Sequence, residues 1–199
     1  MTPELGPRAA ARASVRSALV AAAYQLCEDD GFEAVTTQEV ADLAGVSQRT
    51  FFRYFPAKED VLLHFFDDQN RRICEAIRRR PSGEAAERLL RHGFQTYVGM
   101  EQAEIERTRM VIGLANGSSQ LRKALTLRQA VWEERIADTL LERREIAEQD
   151  ELRTRHLVAM AMAILSVAFR MTLAPEGHDF EMSIDAGFAL LGVETSKPI

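Results

Sequence analysis

Residues 48–54 bring together side chains that can read the edge of a DNA base pair. Gln48 carries an amide that can form two hydrogen bonds to adenine, and Arg49 carries a guanidinium that matches O6 and N7 of guanine. Thr50 and Tyr54 follow, with hydroxyl groups that can donate to phosphate oxygens. Residue types in this order indicate a surface that binds double-stranded DNA.

The elements that would hold these side chains are two short helices within residues 36–55. Thr36 and Glu39 have the spacing of a capping box, in which each side chain satisfies a backbone N–H at a helix start. Gly45 can take the left-handed conformation that ends a helix, and Ser47 is a good N-cap for the next one. The pattern predicts a helix-turn-helix, whose second helix presents its N-terminal residues to the major groove.

Apolar residues around the turn predict a small core beneath this polar helix. The first helix of the chain, predicted at residues 10–30, has an apolar face at helical spacing and ends at Gly31. The residues predicted to pack against that face are Val40, Leu43, Val46, Phe51 and Phe55. Phe52 either joins this core or contacts a thymine methyl group, and both alternatives stay open.

The formal net charge is −5, so DNA binding would depend on where the cations are clustered. No acidic residue lies within residues 6–26, where Arg8, Arg12 and Arg16 recur at intervals of four. On a helix, this spacing puts the three arginines on one face. The cations of a second cluster are Arg49, Arg53 and Lys58.

Residues 31–62 resemble the N-terminal part of TetR-type repressors. The shared landmarks are Gly31-Phe32, Thr36-Thr37, the Ala-x-x-Ala-Gly-Val-Ser turn at residues 41–47, and the aromatic ending with Pro-x-Lys-Glu at residues 51–59. The resemblance covers the first third of the chain, and the remainder matches only in length and helical character. It implies an all-helical dimer that binds DNA through its N-terminal domain and a small molecule through its C-terminal domain.

The resemblance also assigns roles to the matching positions. It implies phosphate contacts by Thr37, Thr50, Tyr54 and Lys58, and base contacts by Gln48, Arg49, Thr50 and Phe52. The full set predicted to bind DNA is Thr37, Gln48, Arg49, Thr50, Phe52, Arg53, Tyr54 and Lys58. For Arg8, Arg12 and Arg16 two alternatives stay open, a DNA arm that touches the backbone or minor groove and a solvated face. Ala57 replaces a serine that often caps the fourth helix, which leaves that cap to water or backbone at a small cost in stability.

Helical periodicity continues through the rest of the chain. Further helices are predicted at residues 58–80, 84–101, 103–115, 119–146, 150–173 and 180–194. The last two are apolar on two sides, so one side would pack in the domain core and the other would meet a second subunit. The residues predicted at this dimer interface are Leu157, Met160, Ile164, Val167, Met182, Ala186 and Ala189. A wholly internal core is the alternative.

The middle helices carry aromatic and sulfur-containing side chains beside a few polar groups. The resemblance implies an effector pocket there, mostly apolar with one or two polar anchors. The residues predicted to line it are Phe94, Tyr97, Arg109, Met110, Leu114 and Trp132. Core packing is the alternative for each of them. The effector is expected to be hydrophobic, either a fatty acyl thioester or a drug-like amphiphile.

The sequence argues against several other classes of protein. The four histidines and two cysteines show no metal-ligand spacing, and no nucleophile or phosphate-binding motif is present. We therefore expect no enzyme activity, catalytic residue, metal or cofactor. Residues 157–169 are uncharged but too few to span a membrane, which takes about 20 residues. No secretory signal is expected, so the prediction is a cytoplasmic protein without a membrane partner.

Together these observations predict an all-α protein of about nine helices. A three-helix domain at residues 1–57 would contain the helix-turn-helix, and residues 58–199 would form a helical domain for ligand binding and dimerisation. The predicted function is a repressor that binds a palindromic operator as a dimer and is released by a small effector. Two alternatives are a small-molecule-binding module without sequence-specific DNA binding and an activator.

Overall fold

The computed structural model describes residues 6–98, 100, 102–143, 151–174 and 177–192. These residues form nine helices and no strand: α1 (Pro7–Asp30), α2 (Thr37–Leu43), α3 (Gln48–Tyr54), α4 (Lys58–Arg78), α5 (Ala86–Val98), α6 (Gln102–Gly117), α7 (Ser119–Leu141), α8 (Glu151–Leu173) and α9 (Phe180–Leu190). The predicted all-helical fold is confirmed. The predicted helix ends at residues 101, 146, 150 and 194 lie outside the described residues.

Residue contacts divide the chain into two compact units. The first consists of Met1–Phe65 and Ile105–Thr126, and the second consists of Phe66–Glu104 and Leu127–Ile199. Helices α4 and α7 each begin in the first unit and end in the second. The domain boundary predicted after residue 57 stays a prediction.

The core of the first unit lies between α1 and the α2–α3 pair. Leu19 of α1, Val40 of α2 and Phe51 of α3 are fully buried, and Phe55 is nearly so. Leu43 was predicted to share this core, but it is 48% exposed. Since α2 buries Val40 and Ala41, its rotation of about 100° per residue turns Leu43 toward solvent.

The core of the second unit is rich in aromatic rings from α5, α8 and α9. Phe94 and Phe188 are fully buried with ring centroids 5.8 Å apart. Tyr97 lies 5.3 Å from Phe169, which in turn lies 5.0 Å from Phe180. Edge-to-face and tilted pairs of this kind add to the free energy gained from burial. They fix the apolar sides of three helices in one cluster.

Helix α8 has a buried side and an exposed side. Val158, Ala161 and Leu165 are buried, at the spacing of one helical face. The stretch Glu151–Thr172 is long and apolar enough to cross a membrane, a property that core helices share. On α9, a Cβ added at Gly187 would collide with the side chain of Ile164, so the two helices pack closely at this point.

Candidate nucleic-acid interface

Local hydrogen bonds determine where α2 and α3 begin. The Thr36 hydroxyl accepts a bond from the Glu39 N–H at 3.2 Å, and the Glu39 carboxylate accepts one from the Thr36 N–H at 2.8 Å. Gly45 has a φ of 69°, which a residue with a side chain rarely adopts. Ser47 then caps α3 by accepting a bond from the Thr50 N–H at 3.2 Å. The predicted capping box and N-cap are confirmed.

The capping box also affects the charge of Glu39. Hydrogen bonds from the Thr36 backbone and side chain stabilise the carboxylate, and they lower its pKa below the ordinary value. The charged form is therefore the one that holds the start of α2.

One side of α3 is fixed against the core by aromatic rings. Phe51 is fully buried, with its ring centroid 5.9 Å from that of Phe55. Phe52 lies edge-on to Phe51 at 5.4 Å but is 48% exposed. Of the two alternatives for Phe52, the core position is therefore excluded, and its ring is open to a ligand outside the protein.

The opposite side of α3 presents polar groups to solvent. Arg49 and Arg53 are exposed, whereas Gln48 and Thr50 are half-buried. The Gln48 amide donates to the Thr37 hydroxyl at 2.9 Å, so the two helices are joined by predicted DNA-binding residues. This contact orients the Gln48 side chain at the beginning of the polar face.

Lys58 has an intramolecular role that the sequence did not reveal. Its ammonium donates to the carbonyl of Phe32 at 2.7 Å and to that of Val35 at 2.8 Å. The same nitrogen lies 4.1 Å from the centroid of the Phe32 ring. Lys58 thereby ties the first turn of α4 to the α1–α2 connection. Its predicted phosphate contact stays a prediction.

Asp60 makes the reciprocal half of a capping box at the start of α4. The Asp60 carboxylate accepts a hydrogen bond from the Ala57 N–H at 3.0 Å. The Asp60 N–H, which a serine at position 57 could have satisfied, donates to the backbone carbonyl of Ala57 at 3.3 Å, as the sequence predicts for a start without a capping side chain. An acid in this position also suits the positive end of the helix dipole.

Tyr54, the last residue of α3, lies beneath two arginines. The guanidinium carbon of Arg53 is 5.4 Å from the centroid of the Tyr54 ring, and that of Arg16 is 6.0 Å away. Arg16 comes from α1, and with Arg8 and Arg12 it is exposed. The structure thus brings one residue of the predicted arginine stripe to the predicted DNA surface.

The α6–α7 corner makes polar contacts with the DNA-reading part of the first unit. The buried Ser118 donates to the Glu33 carboxylate, and Gln120 donates to the buried carboxylate of Glu59. Ser118 also caps α7 by accepting a bond from the Leu121 N–H at 3.1 Å. No residue of this corner belongs to the predicted site. The signal that could have found it is the N-cap serine that follows Asn116-Gly117.

The six residues predicted to line an effector pocket fall in both units. Phe94, Tyr97 and Trp132 are buried in the second unit, and Trp132 donates through its indole N–H to Asp67 at 2.7 Å. The other three, in the first unit, are Arg109, which is exposed, and Met110 and Leu114, which are half-buried. Their assignment to a pocket stays a prediction.

A polar cluster on α4 contains two adjacent buried amides that differ in their hydrogen bonds. Asn70 donates to the Trp132 carbonyl at 3.3 Å and accepts from Arg135 at 3.4 Å. Gln69 donates to Glu104 at 3.4 Å, but its carbonyl oxygen has no partner among the described residues. The carboxylate fixes the orientation of the Gln69 amide, since a flipped amide would put two oxygens together.

The second unit also exposes an apolar surface on α8 and α9. Met160 is 42% exposed, Val167 46% and Met182 72%, and Ala186 and Ala189 are exposed as well. We call these five residues the α8–α9 face. Of the other residues predicted at the dimer interface, Ile164 is half-buried and Leu157 is only 6% exposed. Leu157 packs within its own chain, because it lies on the side of α8 that holds Val158 and Ala161.

The described residues offer little reactive chemistry. Burial raises the pKa of the Cys27 thiol to about 11, against the opposing effect of the Lys58 ammonium. The thiol is therefore protonated at neutral pH and has the character of a small apolar side chain. Within the described ranges no group of three or more His, Cys, Asp or Glu residues is placed to hold a metal ion.

Family models match most of this chain. Residues 19–65 match the one described as bacterial regulatory proteins of the tetR family, and residues 84–195 match the one described as the MftR C-terminal domain. The HTH-type transcriptional regulator TcmR of Streptomyces glaucescens is 27% identical over 161 residues, which are 78% of this chain and 71% of TcmR. EthR of Mycolicibacterium smegmatis is 32% identical over 85 residues, which are 41% of this chain and 38% of EthR.

Solved structures share the fold. FadR of Thermus thermophilus, a TetR-family repressor in complex with lauroyl-CoA, aligns with a TM-score of 0.64 at 23% identity over 92% of this chain and 98% of FadR. FadR of Bacillus subtilis, in complex with stearoyl-CoA, aligns with a TM-score of 0.56 at 18% identity over 89% of this chain and 99% of its own. The predicted arrangement, a helix-turn-helix followed by a helical domain, is confirmed.

Proposed function

This chain belongs to the TetR family of bacterial regulatory proteins, and from that premise we propose that it represses transcription as a homodimer released from its operator by a hydrophobic effector. It is a DNA-binding transcriptional regulator. The observation that carries the proposal is α3, whose buried Phe51 holds Gln48, Arg49 and Arg53 on an outward polar face. We place the protein in the cytoplasm and assign it no enzyme activity.

DNA recognition would divide between base and phosphate contacts. Arg49 and Gln48 carry the two side-chain types that read guanine and adenine, and the exposed ring of Phe52 suits a thymine methyl. Thr37, Thr50 and Tyr54 carry hydroxyls for phosphate oxygens, which set the register of the protein on the duplex.

The α8–α9 face supports dimerisation. Exposure of Met and Val side chains to water is unfavourable. A second copy that covers them with the same surface would lower the free energy. Two-fold symmetry would then present two α3 helices to half-sites about one turn of DNA apart, which requires a palindromic operator. We leave Leu157 out of this interface, since its own chain already buries it.

For the effector we propose a fatty acyl thioester. The FadR structures, which share this fold, contain lauroyl-CoA and stearoyl-CoA. An acyl chain could enter the apolar cluster around Phe94 and Tyr97 in the second unit only if these buried, closely packed rings moved apart. The carbonyl oxygen of Gln69 is a buried acceptor that a donor group on the effector, such as an amide N–H, would satisfy. Of the six residues predicted to line the pocket, we keep in this proposal the three that lie together in the second unit, Phe94, Tyr97 and Trp132.

Release of DNA would follow from a shift between two states. Helix α4 passes from the first unit into the second, and Ser118 and Gln120 bond to Glu33 and Glu59 within the first unit. An effector that binds better to a state in which the two α3 helices are wrongly spaced for the operator would favour that state and so lower the affinity for DNA. The size of this decrease is limited by the difference between the effector's affinities for the two states.

Selection of duplexes from a random pool by the full-length protein tests the proposal. We expect an inverted repeat to be enriched and its affinity to fall steeply with salt, as counterions are released. Lauroyl-CoA should then release the selected duplex, whereas free CoA should not. A pool without sequence preference would leave a small-molecule-binding module as the function. Release by neither compound would exclude lauroyl-CoA as the effector.

The sign of regulation needs a separate measurement. A promoter that contains the selected repeat, placed before a reporter gene, should become less active when the protein is expressed. Increased activity would identify an activator and would overturn the repressor assignment while leaving DNA recognition intact.

A further inference from the structure

Side-chain hydrogen bonds tie α4 to α7 within the second unit. The Asp67 carboxylate accepts from the Trp132 indole N–H and from the Arg128 guanidinium, in each case at 2.7 Å. Both charged side chains are largely shielded from water, which strengthens their attraction. One turn later, Asn70 donates to the Trp132 carbonyl at 3.3 Å and accepts from Arg135 at 3.4 Å.

The bonds between these helices continue to the end of α4. Arg78 donates to the Thr139 hydroxyl at 3.2 Å and to the Glu142 carboxylate at 2.9 Å. Arg143 donates to the carbonyl of Arg80 at 3.1 Å, just beyond the last turn of α4. A displacement of one helix would break several of these bonds unless the other helix moved with it.

The contact between α4 and α5 is of a different kind. Gly93 of α5 lies against Ile73 and Ile77 of α4, and all three residues are buried. A Cβ added at Gly93 would lie 2.9 Å from Cγ2 of Ile73 and 3.2 Å from Cγ1 of Ile77. Apolar contact of this kind has no preferred direction, so α4 can shift along or away from α5 without losing a directed bond.

Helix α5 itself is fixed to the rest of the second unit. Phe94, which follows Gly93, packs edge-on against Phe188 of α9. The second unit therefore contains two parts, the pair of α4 with α7 and the aromatic cluster of α5, α8 and α9. Gly93 lies where α5 of the cluster meets α4 of the pair.

We infer that α4 and α7 move as one pair and that the contact of Gly93 with Ile73 and Ile77 sets their position. An effector that opens this contact would move both helices, and both continue into the first unit. Gly93 is thus a positioning residue for DNA recognition, although it belongs to the second unit. The inference rests on the proposed function, because it concerns the regulation of the same DNA-binding surface.

Gly93→Ala tests this contact without any effector. The nearest atom to the added methyl is Cγ2 of a buried β-branched residue, with the Ile73 carbonyl oxygen at 3.4 Å, so α4 has to move away from α5. Full-length Gly93→Ala should bind the selected operator about tenfold more weakly than the wild type, within the range typical of coupling between two sites. Its affinity for a duplex with a single half-site should not change, since α3 is unaltered.

Gly113→Ala is the matched control. Gly113 also lies within a helix, and a Cβ at this position would meet nothing within 4 Å. The variant should bind the operator as the wild type does.

Ile73→Ala makes room for the added methyl and supplies a second variant. In the double variant Gly93→Ala/Ile73→Ala, operator affinity should return to that of Ile73→Ala alone, so the two changes are not additive. Circular dichroism at the assay temperature shows whether each variant is folded.

The fluorescence of Trp132 tests whether α4 and α7 move together. It is the only tryptophan in the chain, and its indole N–H would lose Asp67 if α4 moved alone. Asp67→Ala removes this acceptor and should shift the emission maximum. Gly93→Ala should keep the emission of the wild type.

Three results would overturn the inference. Gly93→Ala could bind the operator as tightly as Gly113→Ala, or it could lose the same affinity for the half-site duplex, which would place the damage in α3 itself. Its emission could also match that of Asp67→Ala, which would show that α4 moves without α7. The proposed function stands apart from all three, because it depends on whether the wild-type protein prefers its selected operator over unrelated DNA.

Discussion

The outward face of α3 and the α8–α9 face are both exposed, but the first is polar and the second is apolar. On α3 the outward groups are polar, and several already bond to neighbours, as Gln48 does to Thr37. On α8 and α9 the outward groups are apolar, and Met182 is 72% exposed. The first surface is stable in water and only exchanges water for DNA. The second carries a cost of about 25 cal/mol per Å² of exposed apolar area until it is covered.

The same contrast extends to the interiors of the two units. The first unit ties its buried polar groups into pairs, such as Ser118 with Glu33 and Gln120 with Glu59. The second unit contains the orphaned carbonyl oxygen of Gln69. A buried polar group that already has its hydrogen bonds gains nothing from a further partner. Where apolar area is exposed or a buried acceptor has no hydrogen bond, a partner that covers or satisfies it would lower the free energy.

The largest effect, on dimerisation and operator affinity, is expected when charges are placed on the α8–α9 face. Met160→Glu combined with Met182→Glu should give a protein of 22.3 kDa by light scattering, against twice that mass for the wild type. Affinity for the operator should fall by about a hundred- to ten-thousandfold, since the second half-site is no longer linked to the first. Leu127→Glu, on an exposed apolar residue of α7, is the control and should leave the mass unchanged. A double variant that keeps the dimer mass would show that the two copies meet elsewhere.

A smaller effect is expected when the polar surface is changed at one base contact. Arg49→Ala should reduce the preference for the operator over unrelated DNA by ~1–3 kcal/mol, the range for one forked contact to a base. Binding to unrelated DNA should change little, and competition assays at fixed salt measure both. Lys123→Ala provides the comparison. An equal loss on both duplexes would make Arg49 a phosphate contact.

Adjacent amides on α4 sharpen the comparison of interiors. Asn70→Leu should lower the free energy of unfolding by about 1 kcal/mol, because it removes the hydrogen bonds of Asn70 to the Trp132 carbonyl and from Arg135. Gln69→Met should be neutral or stabilising, since it removes an unsatisfied acceptor, while weakening release of the operator by lauroyl-CoA. Denaturant titration measures the first property and a mobility shift the second. If both variants are equally destabilised, the oxygen of Gln69 has a partner in the folded protein.

The smallest expected effect is a loss of stability at low pH that involves Glu39. Because the folded-state pKa of Glu39 lies below its ordinary value, its contribution to stability is present above that ordinary value and is lost as the pH falls through the lowered one. Glu39→Gln keeps the geometry of the capping box without the charge. The wild type should therefore have the higher melting temperature at neutral pH, and the difference should shrink in acid. A difference that is independent of pH would argue against this origin.

The helix-turn-helix could be predicted in detail because short-range chemistry determines it. Thr36, Glu39, Gly45 and Ser47 act within a few residues of one another, so their spacing in the sequence is sufficient to place α2 and α3. The exposure of Leu43 was not predictable in the same way. Apolar spacing alone does not say where the centre of a short buried face lies.

Longer-range features needed the structure. The partners of the Lys58 ammonium are backbone carbonyls, which every residue carries, so no pattern of side chains indicates them. Leu157 and Met160 belong to the same apolar helix, and only the packing of α8 on its neighbours shows that one is buried and the other exposed. The bond from Ser118 to Glu33 joins segments that are far apart in the chain, and each residue is ordinary in its own segment.

The contact of the α6–α7 corner with Glu33 and Glu59 has a consequence for how this protein can be cut or recombined. The first unit, which contains α2 and α3, is discontinuous in the chain, since Ile105–Thr126 groups with the N-terminal helices. An isolated fragment that stops near residue 57 would lack Glu59 itself and would leave Glu33 without its hydrogen-bond donor Ser118. A chimera that transplants the reading head onto another regulator must therefore carry two segments of this gene product, or replace both acids along with the corner they bind.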